Sequence, residues 1–243
     1  MDRKENEEVE GVMSAEQQAS FDAEQASSAR YGKYVLYVLI IVYIFNFIDR
    51  QILSILAEEI KADLGIGDAE IGFLYGTAFA VFYAVFGIPL GRLADMWNRK
   101  KLISMGLSFW SLMTAMSGFA QNFGSLAFCR FGVGVGEASA TPAAFSMLSD
   151  YFSPKVRATV LAIYSSGIYL GSGIGLFLGG AIVHSWHGWY PDPTLAPLGI
   201  KAWQAAFLAV GVPGIFMAIW VWTLREPVKG ASEGILTPQH PAP

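Results

Sequence analysis

Six long apolar stretches limit what this chain of 243 residues can fold into. A hydrocarbon layer about 30 Å thick is crossed by about 20 helical residues. The stretches are about twice as long as a membrane barrel strand, and an open sheet edge would leave backbone groups unsatisfied in lipid. The sequence therefore predicts an all-α membrane protein with a six-helix transmembrane bundle. The predicted spans are residues 34–57, 70–94, 102–120, 123–149, 156–184 and 202–224.

The distribution of charge predicts the orientation of the spans. Hydrophobic residues make up 53% of the chain and charged residues 15%, against about a quarter in soluble proteins. Basic residues near span ends mark the cytoplasmic side. One set of ends is basic and the other carries only Lys61 and Lys201, which predicts a multi-pass protein of the plasma membrane with both termini in the cytoplasm. The basic set is Arg30, Lys33, Arg92, Arg99, Lys100, Lys101, Lys155, Arg157, Arg225 and Lys229.

The segments outside the spans are polar. Residues 1–33 are rich in acids, Gln and Ser, so they are predicted to form a disordered cytoplasmic tail. Residues 34–225 form the predicted transmembrane domain, and residues 226–243 read as a linker or a cut end.

Neither a cofactor nor a metal site is expected. Cys129 is the only cysteine, which excludes an internal disulfide and a CxxC motif. His184 and His187 have the helical spacing of metal ligands, yet they fall at a membrane boundary without a nearby third ligand, so interfacial anchoring is favoured. The chain contains no GxxxxGK[ST] loop for ATP, and no nucleic-acid partner is expected.

Four charged residues fall within the predicted first and fourth spans: Asp49, Arg50, Arg130 and Glu137. Each charge at mid-membrane costs about 2.5–3.5 kcal/mol, so these side chains must pair or face water. Arg130 and Glu137 share a helix face but stand about 10 Å apart along the axis. Asp49 and Arg50 point about 100° apart, so at least one needs a partner on another helix. The simplest arrangement is a shared polar cavity between the two spans.

These residue types suggest roles for the charges. A guanidinium stays protonated and can donate two parallel hydrogen bonds to a carboxylate or phosphate. Arg130, together with Arg50, is therefore a candidate for binding an anion. Glu137 and Asp49 are candidates for carrying a proton, although burial favours the neutral carboxyl and a nearby Arg favours the charged one. Structural ion pairs that lock two helices are the alternative. A lipid-like substrate would suit a cavity lined by Tyr43, Phe47, Tyr75 and Phe79.

The turn between the second and third spans carries a family motif. Gly91-Arg92-Leu93-Ala94-Asp95-Met96-Trp97-Asn98-Arg99-Lys100-Lys101 resembles the signature G-x-L-A-D-x-x-G-R-[RK] of the major facilitator superfamily, with Asn98 in place of Gly. Asn tolerates a left-handed turn next best after Gly. Residues 171–180 resemble the antiporter motif G-x-x-x-G-P-x-x-G-G, with Leu176 in place of Pro.

Three further runs, NFIDRQILS, GIPLGRLAD and GVGEASATPAAFSMLSDYF, resemble the spinster-type branch of that superfamily. The resemblance covers residues 34–225 and implies the amino-terminal half of a twelve-helix transporter, with residues 226–243 leading to a second half. It also implies export of lysophospholipids or sphingolipid phosphates. By the same analogy Asp95 caps a helix of the other half, while Arg99 pairs with Asp150 and Arg157 joins them as a cytoplasmic gate.

The leading hypothesis is a secondary transporter and not an enzyme, with alternating access to a site near the bilayer midplane. It would move an anionic amphipathic substrate, coupled to protons. A proton-coupled transporter of small organic anions and a non-transporting sensor or scaffold stay open as alternatives. An intramembrane hydrolase would need an activated serine and a paired histidine within the membrane, which the sequence does not offer.

Overall fold

The structure is a computed structural model that describes residues 15–230 and Ser232, with side chains from Arg30 onward. The described part of the chain is helical and contains no strand. Its α-helices are α1 (Ala15–Ile55), α2 (Ala57–Leu64), α3 (Asp68–Gly72), α4 (Ala78–Met96), α5 (Arg99–Ser117), α6 (Phe123–Glu137), α7 (Ala140–Tyr151), α8 (Pro154–Ser165), α9 (Gly167–Trp189) and α10 (Ala202–Trp222).

These helices make the six predicted spans. The first is α1, the second is α3 and α4 joined by a π-helical turn, Phe73–Thr77, and the third is α5. The fourth is α6 with α7, the fifth is α8 with α9, and the sixth is α10. By length and composition, the first, second, fifth and sixth are apolar enough to cross a membrane. The third begins with three basic residues, and the fourth is interrupted and carries Arg130 and Glu137.

The break in the fourth span has a local cause. Pro142 has no amide proton to donate to the carbonyl four residues earlier, and the helix is interrupted at Ala138 and Ser139. The Ser139 hydroxyl donates to the Gly136 carbonyl oxygen at 2.8 Å. This bend follows directly after Glu137, at the point where α6 ends.

The acidic tail differs from its prediction in part. Helix α1 already begins at Ala15, so residues 15–33 are helical and not disordered. Residues 15–29 are rich in Ala, Gln and Glu, which have high helix propensity, and they continue directly into the apolar span. The prediction for residues 1–14 lies outside the described residues.

Glycine contacts hold α1 against α9. Gly167, Gly171, Gly175 and Gly179 are all buried on one face of α9. A Cβ built on Gly171 would lie 2.6 Å from the Ile44 carbonyl oxygen, so the two backbones approach too closely for any side chain. Small residues at every fourth position are typical of contacts between membrane helices. This contact fixes the position of α1 and of the charges that it carries.

Candidate functional site

The four charged side chains at membrane depth form two ion pairs between α1 and α6. Asp49 pairs with Arg130, and Arg50 pairs with Glu137. Adjacent residues on a helix point in different directions, so Asp49 and Arg50 find different partners on α6. The first and fourth spans meet at these charges, which form two ion pairs side by side.

The Asp49–Arg130 pair is almost completely buried. One Arg130 amino group lies 3.3 Å from Asp49 Oδ1, and both side chains are at most 4% exposed. The second carboxylate oxygen of Asp49 accepts a hydrogen bond from Thr114, and Arg130 also donates to Ser117 Oγ at 3.2 Å. The guanidinium carbon lies 5.0 Å from the centre of the Phe207 ring. This pair therefore connects α1, α5, α6 and α10.

The Arg50–Glu137 pair is partly open. Arg50 donates from Nε and from a terminal nitrogen to the same Glu137 oxygen, Oε2, both at 2.8 Å. Glu137 is 0% exposed, whereas the Arg50 side chain is 29% exposed. Three aromatic rings surround the guanidinium carbon, with centroids 5.0 Å away for Phe47, 4.3 Å for Phe79 and 5.1 Å for Tyr83.

Each pair leaves one buried polar atom unused. Within the described part of the chain, Arg130 Nε and Glu137 Oε1 have no hydrogen-bond partner. A buried carboxylate oxygen without a hydrogen-bond partner is costly while the carboxylate is ionised. A proton on that oxygen removes the negative charge. Glu137 is thus the carboxyl of the site with an open position for a proton.

A cavity of about 300 Å³ lies beside these pairs. Arg50, Tyr75, Phe79 and Arg130 line it, together with Leu53, Leu74, Gly76, Ala80 and Val133. The Asp49 and Glu137 side chains stand behind the two arginines and are not among the lining residues.

Two predicted lining residues lie elsewhere, which corrects the sequence prediction. Tyr43 stacks on Tyr164 with a centroid distance of 4.5 Å, and Phe47 lies edge-on to Tyr43. Both rings pack against glycines of α9: Tyr43 lies against Gly167, and Phe47 lies against Gly171. Phe47 still contacts the site through Arg50.

A second charged network lies at the end of the bundle where α4 ends and α5 begins. Its centre is Arg99, which is only 1% exposed and forms ion pairs with Asp150 and, at 2.8 Å, with Glu226. Arg99 also donates to Ser146 Oγ at 3.1 Å and to the Pro227 carbonyl oxygen at 2.9 Å. The predicted pair of Arg99 and Asp150 is present, within a larger set of contacts.

The other two predicted gate residues lie at the edge of this network. Arg157 donates to the Ser149 carbonyl oxygen at 3.1 Å and to Ser232 Oγ at 3.0 Å. The Asp95 side chain is exposed, and its backbone carbonyl accepts a hydrogen bond from Lys229.

Glu226 is the network residue that the sequence reasoning missed, because it was assigned to the linker 226–243. Its two oxygens accept from the backbone amides of Arg99 at 3.1 Å and Lys100 at 2.9 Å. These amides belong to the first two residues of α5. Backbone donors there lack helical partners, and the helix dipole stabilises a carboxylate. An acid directly after the last span was the available signal. The prediction for residues 233–243 lies outside the described residues.

The described residues contain no group of three or more His, Cys, Asp or Glu side chains arranged to hold a metal ion. His187 instead has Glu59 as a neighbour, with Nε2 and Oε1 3.7 Å apart.

Residues 39–243 match the family model of the Major Facilitator Superfamily, so the chain belongs to that family. An MFS-type efflux pump of Mycolicibacterium smegmatis is 35% identical over 181 residues, 74% of this chain and 39% of the pump. A probable L-galactonate transporter of Escherichia coli is 29% identical over 190 residues, 78% of this chain and 38% of that protein. Spinster homolog 1 of Homo sapiens is 33% identical over 207 residues, 83% of this chain and 36% of that protein. The chain spans well under half the length of these relatives.

A solved structure also resembles the chain. It is the crystal structure of a bacterial homologue of the human lysosomal transporter Spinster, inward-facing and unoccupied, with 37% sequence identity and a TM-score of 0.75. The likeness covers 82% of this chain and 44% of that one. The predicted fold class is confirmed: an all-α membrane bundle that corresponds to about one half of a major facilitator protein. The resemblance to spinster proteins is confirmed as well.

Proposed function

We propose that the chain is the amino-terminal half of a secondary transporter that works by alternating access. It carries an anionic amphipathic substrate, such as a lysolipid or a sphingolipid phosphate, and couples that movement to protons. The observation that carries the proposal is Arg50: a cation at membrane depth, 29% exposed to a cavity and enclosed by aromatic rings. Such a guanidinium binds phosphate or carboxylate by a fork of donors.

The two arginines have different parts in this proposal. Arg130 is held by Asp49, Ser117 and the Phe207 ring, so it fixes the helices around the cavity and adds positive charge to its wall. Arg50 is the substrate contact, because its side chain is 29% exposed, against 4% for Arg130, and it borders the cavity.

Proton coupling follows from competition for Arg50. When Glu137 is ionised it occupies Nε and a terminal nitrogen of Arg50. A proton on Glu137 neutralises the carboxyl and frees those donors for a substrate anion. Proton and anion then favour each other's binding, which is the coupling free energy that a symporter or a proton-linked cycle needs. Asp49 is the second candidate carrier, although its oxygens are already used by Arg130 and Thr114.

A second six-helix half completes the transporter in this proposal, on the same or a separate chain. The second span supports this, because only 11% of its apolar window is buried within the chain, against 44% for the first span. Its exposed face is available to lipid or to another bundle. The network of Arg99, Asp150 and Glu226 would then be the cytoplasmic gate, with Arg157 beside it and Asp95 exposed toward the second half. Both termini would lie in the cytoplasm and the protein in the plasma membrane.

Small organic anions are the second candidate substrate class. A relative named as a probable L-galactonate transporter supports it. A cavity of about 300 Å³ is also at the lower end of the range for small-molecule sites. Sugar acids present a carboxylate to Arg50 in the same way as a lipid phosphate, but they have no apolar tail for the rings to cover.

The experiment is uptake into proteoliposomes that hold this chain together with its second half. Radiolabelled lysophospholipid, sphingolipid phosphate and sugar acid are compared, each with and without an imposed pH gradient. We expect one anion class to be transported, faster with the gradient, and Glu137→Gln to transport at a rate that the gradient no longer changes. Equal rates with and without a gradient in the unmodified protein would rule out proton coupling, and no transport of any anion would rule out the substrate class.

A further inference from the structure

A second cavity, of about 320 Å³, lies at the end of the bundle opposite Arg99. It is enclosed by α2, the last turns of α9, the loop before α10 and the first residues of α10. Its polar and aromatic lining residues are Glu59, Asp63, Trp186, His187, Tyr190, Lys201 and Trp203. This cavity is separate from the one beside Arg50, and none of these residues takes part in the transport site proposed above.

Three groups that line this cavity already donate to an acceptor. The Trp203 indole donates to Asp63 at 2.9 Å, and the Trp186 indole donates to the Ile200 carbonyl oxygen at 3.2 Å. Lys201 is paired with Asp63.

The carboxylate of Glu59 is the charge with capacity left. Asp63 gives one oxygen to Lys201 and the other to Trp203. Among the described residues, the one ion-pair partner of Glu59 is His187, at 3.7 Å, which is beyond a normal hydrogen bond. Since Asp63 and Lys201 offset each other, the cavity keeps one net negative charge when His187 is neutral.

Aromatic surface stands next to that carboxylate. The Trp186 and Tyr190 rings form a corner, with centroids 5.0 Å apart and planes tilted by 50°. Aromatic faces attract cations, most of all quaternary ammonium groups, which have no hydrogen bonds to satisfy. A quaternary ammonium therefore needs only the ring faces and a nearby negative charge, and Glu59 supplies that charge.

We propose that this cavity binds a quaternary ammonium group, with Glu59 as the counter-ion and Trp186 and Tyr190 as the aromatic walls. The group could belong to a free small cation or to the headgroup of a membrane lipid. The chemistry is the same in both cases.

The test is saturable binding of radiolabelled choline to this chain in nanodiscs made of phosphatidylglycerol, which has no ammonium group. Tetramethylammonium should displace the label, and ammonium ion should do so at least about tenfold less well, because the rings favour the methylated cation. Absence of saturable binding, or equal displacement by the two cations, would overturn the proposal.

Matched variants locate the site. Glu59→Gln should weaken choline binding at least about fivefold through loss of the counter-ion, whereas Glu58→Gln, whose side chain is 85% exposed and paired with Lys61, should leave it unchanged. Tyr190→Leu should weaken binding, whereas Trp189→Leu, outside the cavity and 71% exposed, should not. If both variants of each pair behave alike, the aromatic residues serve only as membrane anchors and the proposal fails.

The source of the ammonium group is decided by repeating the titration in phosphatidylcholine nanodiscs. Suppressed choline binding identifies the lipid headgroup as the occupant, and unchanged binding identifies a free cation. Both results support the site itself.

Discussion

The two ion pairs at membrane depth have the same composition, one arginine and one carboxylate joining α1 to α6, but they differ in what surrounds them. Asp49 and Arg130 are enclosed and share two hydroxyl partners, Thr114 and Ser117. In the other pair the Arg50 side chain is 29% exposed, against 4% for Arg130, and three aromatic rings surround its guanidinium.

The difference shows how burial and hydrogen bonding divide structural from functional charges. A buried pair is strongly destabilised when one partner is lost, because the remaining charge cannot reach water. A pair with a partly exposed arginine, such as Arg50, can be opened at lower cost, because water or a substrate can take the place of the missing partner. The enclosed pair therefore suits a fixed helix junction, and the open pair suits a switch.

The largest effect is expected from Asp49→Asn. This change leaves Arg130 without a counter-ion in an enclosed site and should lower the free energy of unfolding by about 3–5 kcal/mol. Glu137→Gln should cost clearly less, since Arg50 keeps its access to the cavity. Unfolding in mixed detergent micelles by SDS titration measures both. Equal losses in the two variants would remove the distinction between the pairs.

Next in size is the contact that positions both pairs. Gly171→Ala places a Cβ 2.6 Å from the Ile44 carbonyl oxygen and should cost about 1–3 kcal/mol as α1 and α9 move apart. Gly173→Ala is the matched control on the same helix, because a Cβ there meets nothing within 4 Å. The same SDS titration compares them. A loss at Gly173 as large as at Gly171 would show that the close approach of the helices is not the cause.

Arg50→Lys tests the open pair as a substrate contact. Lysine keeps the charge but loses the planar fork and much of the contact with three rings, so KM for the transported anion should rise about tenfold while the protein stays folded. Arg30→Lys, an exposed residue at the beginning of the apolar span in α1, serves as the control. Concentration-dependent uptake into proteoliposomes gives KM. An unchanged KM would argue that Arg130 is the substrate contact.

The smallest effect is expected at an exposed pair outside the bundle core. Lys61 Nζ donates a hydrogen bond to Asp68 Oδ1 at 2.7 Å, and this hydrogen bond raises the pKa of Lys61 above its ordinary value of 10.5. The stabilisation from this pair is complete at neutral pH and is lost only as the pH rises through the raised pKa of Lys61. The change in melting temperature caused by Asp68→Asn should therefore be the same at pH 6 and pH 8. Exposed pairs contribute little. Thermal melting at both pH values checks this, and a large loss would contradict the role given to burial.

The sequence alone determined the six spans. The apolar stretches are long enough to cross a membrane as helices, and an open sheet would leave backbone groups unsatisfied in lipid. The sequence also identified Asp49, Arg50, Arg130 and Glu137 as residues that need partners, since unpaired charges at this depth are too costly. These conclusions depend on local composition and periodicity.

Only the tertiary structure decided which charge pairs with which. Asp49 and Arg50 are adjacent in sequence, and the helix contact made by Gly171 sets the rotation of α1 that directs one to Arg130 and the other to Glu137. The supporting hydroxyls of Thr114 and Ser117 come from a third helix, α5, and the Glu226 carboxylate that pairs with Arg99 comes from the segment after α10. Pairings between distant segments depend on helix rotation and depth, which no short stretch of sequence specifies.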